Sequence, residues 1–405
     1  MPKKKKTKKW LRIRHRIMRN ILYVLLYPYV RLKYGMKVER FKNPEKRQHL
    51  IVMNHQTAFD QFFVGMAFKG AVYYVASEDL FSNGFVSRLI EHLVAPIPIK
   101  KQATDVHAVM TCRRVVKEGG TIALAPEGNR TFSGKTEYIK PSIVGLVRIL
   151  KLPLAIFRIE GGYGVQPRWS DVIRKGKMRA YVSKVIEPEE YLALSDEELF
   201  ELIKKELYVN EAVPTGIFKH KKRAEYLERA VYYCPYCGLS RFESHNDLIE
   251  CKKCGRKIRY GIDKTLSGVG FDFPYPYVND WYEAQNEFVH TLDIERNLQT
   301  PMYEDSTRFS EVILYKKKKL ISKNAKLRLY SDRIEVETEK QIMTMPFKDI
   351  TVATVLGRNK LNIYFDGKVY QCKSDKRFNA LRYVNMCYHY KNLTKGEEND
   401  KFLGL

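Results

Sequence analysis

An α/β domain followed by a cysteine ribbon and a small β-rich domain is the fold class this 405-residue sequence predicts. Three observations predict it. From His49 to about Leu207 short apolar runs alternate with amphipathic stretches, as strands alternate with helices. Two Cys-x2-Cys-Gly units follow, ending at Gly238 and Gly255. From about Arg308, seven short strand-like runs precede one helical run. The length implies more than one core. At 44% apolar and 29% charged, the chain is neither disordered nor collagen-like. A mean hydropathy of −0.40 excludes a polytopic membrane protein.

Residues 1–34 read as a basic arm and a membrane-interfacial helix. Residues 1–50 hold 17 Lys and Arg against Glu39 and Glu45, and so supply +15 of the chain's +26. Directly behind the basic run, Ile21–Val30 is apolar but is broken by Pro28, and it is half the ~20 residues that a bilayer crossing needs. No small-residue cleavage site follows Val30, which argues against a secretory signal. The segment Trp10–Lys33 is therefore expected to lie in the interface, with Trp10 and three tyrosines at headgroup depth and its cations toward anionic lipid. The alternatives are a solvated basic tail or a nucleic-acid arm ahead of a buried helix.

Residues 35–210 are the α/β domain. Strands are expected at Leu50–Asn54, Val72–Ala76, Val94–Ile99, Thr121–Ala125, Leu152–Ile159 and Met178–Ile186. Helices are expected at Ala58–Lys69, Asn83–His92, Asp105–Glu118, Pro141–Leu150 and Asp196–Leu207. Two strand ends carry polar clusters, Asn54-His55-Gln56-Thr57-Ala58-Phe59-Asp60 and Pro126-Glu127-Gly128-Asn129-Arg130-Thr131. Ligands of open α/β sheets bind beyond such carboxyl ends. On a continuous helix His55 and Asp60 would stand about 140° apart and not touch. They meet only if His55 lies in the strand-to-helix turn and Asp60 in the first helical turn, with Thr57 a candidate N-cap. The carboxylate then holds one ring nitrogen and leaves the other as a base. Gly128 and Arg130 suit an anion, through loop N–H groups and a guanidinium.

The two clusters in this order, N-H-x4-D after a strand and P-E-G-N-R-T about seventy residues later, resemble the glycerolipid acyltransferase family of 1-acylglycerol-3-phosphate acyltransferases. The resemblance covers about residues 15–210. Ala95-Pro-Ile-Pro-Ile-Lys100-Lys101 and Leu152-Pro-Leu-Ala-Ile156 resemble two further blocks of that family. Departures are Ser77 where the family often has lysine, lysines where arginine is usual in the third block, and Ala155 where a second proline is usual. The resemblance implies transfer of a fatty acyl group from acyl-CoA or acyl-carrier protein to a lysophospholipid hydroxyl. His55 would be the general base and Asp60 would orient it. Arg130, with Glu127, Gly128, Thr131, Lys100 and Lys101, would hold the acceptor phosphate. Backbone N–H groups around Gly128 would stabilise the oxyanion. A thioester is already activated, so a covalent acyl-enzyme is not required.

A basic linker at 211–230 leads to a ribbon at 231–260. Cys234, Cys237, Cys251 and Cys254 supply four thiolates in two knuckles thirteen residues apart, the donor set of a closed, structural Zn2+ site. His245 lies between the pairs and reads as a surface residue of the hairpin. Cys112, Cys372 and Cys387 fall into no pairing scheme, which points to a reducing compartment and hence to the cytoplasmic face of a membrane. Residues 261–307 form a linker with an amphipathic helix at Trp281–Leu298. Strands are expected at Glu311–Tyr315, Lys326–Tyr330, Arg333–Glu337, Gln341–Pro346, Val352–Leu356, Lys360–Phe365 and Lys368–Cys372, and a helix at Lys376–Tyr390. These make 308–395 resemble a pleckstrin-homology-like sandwich, and 396–405 is a tail. The lysines Lys316–Lys319 read as a solvated strand edge.

The rival function is a nucleic-acid-binding zinc-ribbon protein with a basic arm. Glu243, Asp247 and Glu250 make the ribbon a poor surface for phosphate, and the charge excess beyond the arm is modest. The expected partners are therefore an anionic membrane surface, a lysophospholipid and an acyl thioester, with acyl-carrier protein as one donor.

Overall fold

The computed structural model describes residues 9–77, 80–81, 84–99, 105–313 and 318–394. Its contacts divide the chain into two units. The first is Met1–Asn129, Ile139–Glu160 and Met178–Tyr208; the second is Arg130–Tyr138, Gly161–Lys177 and Val209–Leu405. Two segments that lie inside the α/β region of the sequence thus count with the second unit.

The first unit opens with α1 (Ile13–Tyr34), which runs through Pro28 and ends on Gly35, a left-handed glycine at φ 60° whose N–H caps Val30. No helix among the described residues is long and apolar enough to cross a membrane. One side of α1 leaves Ile13, Ile17, Ile21, Val24, Leu25 and Leu32 exposed. Trp10 and the three tyrosines differ in their local contacts. The Trp10 indole N–H donates to the Ala95 carbonyl at 3.3 Å, and Tyr23 and Tyr27 stack on each other, whereas Tyr29 is exposed.

After α1 come β1 (Met36–Val38), β2 (Leu50–Met53), α2 (Asp60–Ala67), β3 (Val72–Ser77), α3 (Phe85–Val94), β4 (Ile97–Ile99), α4 (Val106–Lys117), β5 (Thr121–Leu124), α5 (Ser142–Leu150) and β6 (Leu154–Glu160). A single turn α6 (Gly162–Val165) belongs to the second unit; β7 (Met178–Ile186), α7 (Pro188–Leu192) and α8 (Asp196–Leu207) complete the first. The sheet order is β1-β7-β6-β2-β5-β3-β4. Strands β6, β2, β5, β3 and β4 are mutually parallel, and β7 runs antiparallel to β6. Leu50, Ile51, Val52 and Met53 are all buried, as a central strand covered on both faces requires. At the carboxyl end of β2, Asn54 is fully buried and exchanges two 2.8 Å hydrogen bonds with the backbone of Ile159, which ties that end to β6.

The second unit holds β8 (Tyr233–Cys234), β9 (Gly238–Leu239), β10 (Phe242–His245), β11 (Leu248–Cys251), β12 (Lys257–Tyr260), β13 (Leu266–Gly268) and α9 (Val278–His290). It continues with β14 (Tyr303–Val312), β15 (Lys319–Leu329), β16 (Arg333–Glu337), β17 (Ile342–Pro346), β18 (Ile350–Leu356), β19 (Lys360–Phe365), β20 (Lys368–Lys373) and α10 (Leu381–Thr394). Strands β14–β20 form an antiparallel sheet in the order β17-β16-β15-β14-β20-β19-β18, with β14 bulged around Phe309 and paired to both β15 and β20. One continuous apolar core runs from Phe132, Tyr163 and Trp169 through the cysteine hairpins and α9 to the sheet and α10. The hairpins are therefore part of a larger body and are not a separate bead on a linker.

Candidate functional site

The loop after β2 is built around one carboxylate. Asp60 is the first residue of α2 and is fully buried. Its Oδ2 lies 2.8 Å from His55 Nδ1 and accepts the Gln56 N–H at 2.6 Å. Its Oδ1 accepts the Thr57 N–H at 2.9 Å and the Thr57 hydroxyl at 2.7 Å. Thr57 Oγ1 in turn accepts the Phe59 N–H at 3.0 Å. Thr57 is not the N-cap: that position is Phe59, which makes no side-chain cap bond, and the hydroxyl serves Asp60 instead. Because a carboxylate only accepts, Nδ1 carries the hydrogen, and in the neutral ring Nε2 holds the lone pair. The His55 side chain is 24% exposed, against 0% for Asp60. The site thus presents one ring to solvent in a fixed tautomer, the arrangement a general base needs.

The second cluster meets the first at Glu127. Its buried carboxylate accepts the His55 backbone N–H at 2.9 Å, so Glu127 holds the histidine loop in place. Gly128 is exposed at φ +68°, a conformation that favours glycine. Its N–H donates to the Ala125 carbonyl at 3.0 Å, which removes it from the oxyanion donors expected there. Arg130 and Thr131 fall in the second unit. The Arg130 carbonyl accepts from Arg168 Nη1 at 2.7 Å. Thr131 is buried, its hydroxyl 3.1 Å from Ser133 Oγ and accepting the Gly134 N–H at 2.8 Å, so it is engaged within its own loop. Lys100 and Lys101 lie outside the described residues.

Sequence reasoning missed Asn54 as the tie to β6, and it missed the Glu127 bond to the His55 amide. The Asn stands directly before the histidine, which was the available signal. A carboxylate reaching a backbone N–H 72 residues away leaves none.

The four cysteines converge. Sγ atoms of Cys234, Cys237, Cys251 and Cys254 all lie within 4.8 Å of one another, and that between Cys234 and Cys254 is 3.9 Å. A tetrahedral ion with Zn–S bonds of about 2.3 Å wants sulfurs about 3.8 Å apart, so the donor set fits. Gly238 and Gly255 follow each pair at φ +71° and +72°, and the Gly255 N–H closes its knuckle on the Cys251 carbonyl at 2.8 Å. His245 sits at the tip of the β10–β11 hairpin with its side chain 73% exposed, outside the cluster. None of the seven cysteines forms a disulfide.

Residues 36–159 match the family model described as Acyltransferase. No curated protein matches the chain. Among solved structures, the crystal structure of the 1-acyl-sn-glycerophosphate (LPA) acyltransferase PlsC from Thermotoga maritima is similar at 18% identity and a TM-score of 0.35, over 48% of this chain and 76% of that one. The solution structure of the N-terminal PH domain of the human ARAP2 protein is similar at 12% identity and a TM-score of 0.19, over 24% of this chain and 87% of that one. At these TM-scores neither likeness carries an argument; the family match does, and it spans both the His55 loop and Glu127. Residues 36–159 thus match the Acyltransferase family, over less than half of the chain.

Proposed function

We propose that the chain moves a fatty acyl group from acyl-CoA or acyl-carrier protein to the free hydroxyl of lysophosphatidic acid or a related lysophospholipid. The observation that carries this reading is the His55–Asp60 pair, 2.8 Å apart at a strand end inside an acyltransferase domain. His55 Nε2 takes the proton of the acceptor hydroxyl as its oxygen attacks the thioester carbonyl. The tetrahedral intermediate collapses, the C–S bond breaks, and the proton passes to the departing thiolate. Asp60 and Glu127 are positioning residues for the ring and for its backbone. Arg130 is assigned to the acceptor phosphate because a guanidinium makes paired bonds to phosphate oxygens.

The cysteine cluster is proposed to hold a structural Zn2+, since four protein ligands leave no open position. The seven-stranded sheet with α10 is proposed to be a pleckstrin-homology-like domain. The exposed apolar side of α1, with Arg12, Arg16, Arg31 and Lys33 also exposed, supports a monotopic seat on an anionic cytoplasmic membrane face. Flotation with anionic liposomes, but not with neutral ones, is the expected behaviour, and tight DNA or RNA binding without flotation would favour the nucleic-acid rival.

Thiol release from acyl-CoA, followed with and without lysophosphatidic acid, tests the reaction. His55→Ala is expected to lower turnover about 10²–10⁴-fold. A folded His55→Ala protein with full transfer would refute the mechanism.

A further inference from the structure

The loop that carries Arg130 is held from inside the second unit by one arginine. Arg168 is buried, 6% exposed, and its guanidinium donates to three backbone carbonyls. Nη1 reaches Arg130 O at 2.7 Å, Nη2 reaches Val355 O at 2.6 Å, and Nε reaches Gly357 O at 2.9 Å. Val355 lies in β18, and Gly357 opens the turn into β19 at φ +65°. The same guanidinium lies over the Phe132 ring at 4.2 Å. Phe132 is fixed on its other sides as well: its N–H donates to Glu137 Oε1 at 3.0 Å, and its carbonyl accepts the Tyr163 hydroxyl at 3.1 Å.

The β18–β19 turn is gripped a second time by the residues next to Arg168. Arg358 pairs with Asp171 at 3.4 Å, and Asp171 also pairs with Arg229 at 2.7 Å, whose Nη1 donates to the Trp169 carbonyl at 2.8 Å. Residues 168–171 therefore join the Arg130 loop to the antiparallel sheet. The three carbonyls are met by three separate nitrogens of a planar fork, whereas an ammonium would offer its donors from a single atom. Burial, with the Arg130 charge nearby, pulls Arg168 down to about 9, which leaves it a cation at neutral pH.

We infer that Arg168 is a positioning residue for acceptor binding: it fixes the backbone of Arg130 to the β18–β19 turn, so that the C-terminal sheet sets the affinity for a phosphorylated acceptor. The inference rests on the assignment of Arg130 to the phosphate. It gives the sheet a role in substrate selection that requires no ligand of its own. A purely scaffolding Arg168 would cost stability without singling out one substrate.

A double-mutant cycle on the full chain separates these cases. Thiol release is measured with acyl-CoA and lysophosphatidic acid in mixed micelles, and again with monoacylglycerol, which lacks the phosphate. Arg130→Met and Arg168→Met are each expected to raise the KM for lysophosphatidic acid about tenfold, in keeping with the loss of a charged hydrogen bond. The double variant is expected to be no worse than the poorer single one. The KM values for acyl-CoA and monoacylglycerol are expected to stay within about twofold. Arg168→Lys, which keeps the cation but serves fewer carbonyls, runs the same cycle if Arg168→Met does not fold, and it is expected to fall between wild type and Arg168→Met. Effects of Arg130 and Arg168 that multiply in full, or an Arg168 variant that raises all three KM values alike, would overturn the inference while leaving the clamp intact. An Arg130→Met protein with an unchanged KM for lysophosphatidic acid would refute the clamp itself, and the inference with it.

Discussion

In the first unit the buried charge at the candidate site is a carboxylate, and the groups that satisfy Asp60 are His55, Gln56 and Thr57, none more than five residues away. In the second unit the chain buries arginines, and their partners are remote. Arg168 serves carbonyls 38, 187 and 189 residues off. Arg174 is fully buried, its guanidinium against the rings of Trp169 and Tyr260, and donates to Gly164 O, Tyr260 Oη and Arg223 O. Arg229 and Arg382 pair with Asp171 and Asp305. A short carboxylate suits a tight loop, whose successive N–H groups point inward together. A long guanidinium with five donors suits the joining of segments that are far apart in sequence. The one device makes a compact reactive loop, tied from outside by Glu127 and Asn54, and the other makes a body whose pieces stand or fall together.

That contrast can be broken most severely at the cysteine cluster. Zinc contributes on the order of 10 kcal/mol to the folding of small metal hairpins, and here the hairpins share a core with the sheet. Cys251→Ser is expected to lose bound zinc and to melt the whole second unit, as read by metal analysis and hydrogen exchange, while β2, β5 and β6 stay protected. Loss of protection confined to residues 231–260 would show that the second unit is not one cooperative body.

Asp60→Asn comes next. An amide brings a donor to a place where two backbone N–H groups, a hydroxyl and Nδ1 already donate. Turnover is expected to fall roughly 10²-fold through the misplaced base, and exchange to rise only around residues 54–60. Arg174→Met sharpens the other side of the contrast: it strands buried carbonyls and is expected to cost about 3 kcal/mol. The loosening should reach residues 161–177, 223 and 260 together in the same exchange experiment.

The smallest effect is a pH dependence in the first unit. Burial, reinforced by the charges of Arg14, Arg12 and His92, lowers His15 from 6.5 to about 4. The unfolded chain therefore takes up a proton between about pH 6.5 and 4 that the folded one refuses. The stability His15 contributes is complete above 6.5 and is lost as the pH falls toward 4. His15→Phe is expected to reduce the acid-induced drop in melting temperature by about 2–4 °C.

Legibility in the sequence follows the same division by distance. The strand at Met178–Ile186 and the helix at Asp196–Leu207 have the bounds expected from their patterns, because apolar period and a local capping box, Ser195 with Glu198, define them. The His55–Asp60 contact is likewise legible, since everything it needs lies within one turn of chain. Val94 reads as strand but ends α3, where Ala95 turns left-handed at φ 44°, which no local pattern announces. The amphipathic run expected at Trp281–Leu298 stops at His290 and begins earlier, at Val278, behind a Tyr277–Asp280 cap. Strand β15 starts at Lys319, seven residues before the expected Lys326, because the Lys319–Asn324 stretch follows the strand's backbone pairing without an alternating apolar pattern to mark it. The long-range bonds of Arg168, Arg174 and Glu127 were invisible: a bond to a backbone atom has no partner residue type to search for.

The most direct test is product analysis. Purified protein is incubated with acyl-CoA and a mixture of lysophosphatidic acid, lysophosphatidylcholine, lysophosphatidylglycerol and monoacylglycerol, and the lipids are resolved by mass spectrometry. The expected result is a new diacyl phospholipid, formed in step with thiol release and absent with His55→Ala. Thiol release yielding only free fatty acid, or no diacyl product from any acceptor, would contradict the assignment of His55 and Asp60 to acyl transfer.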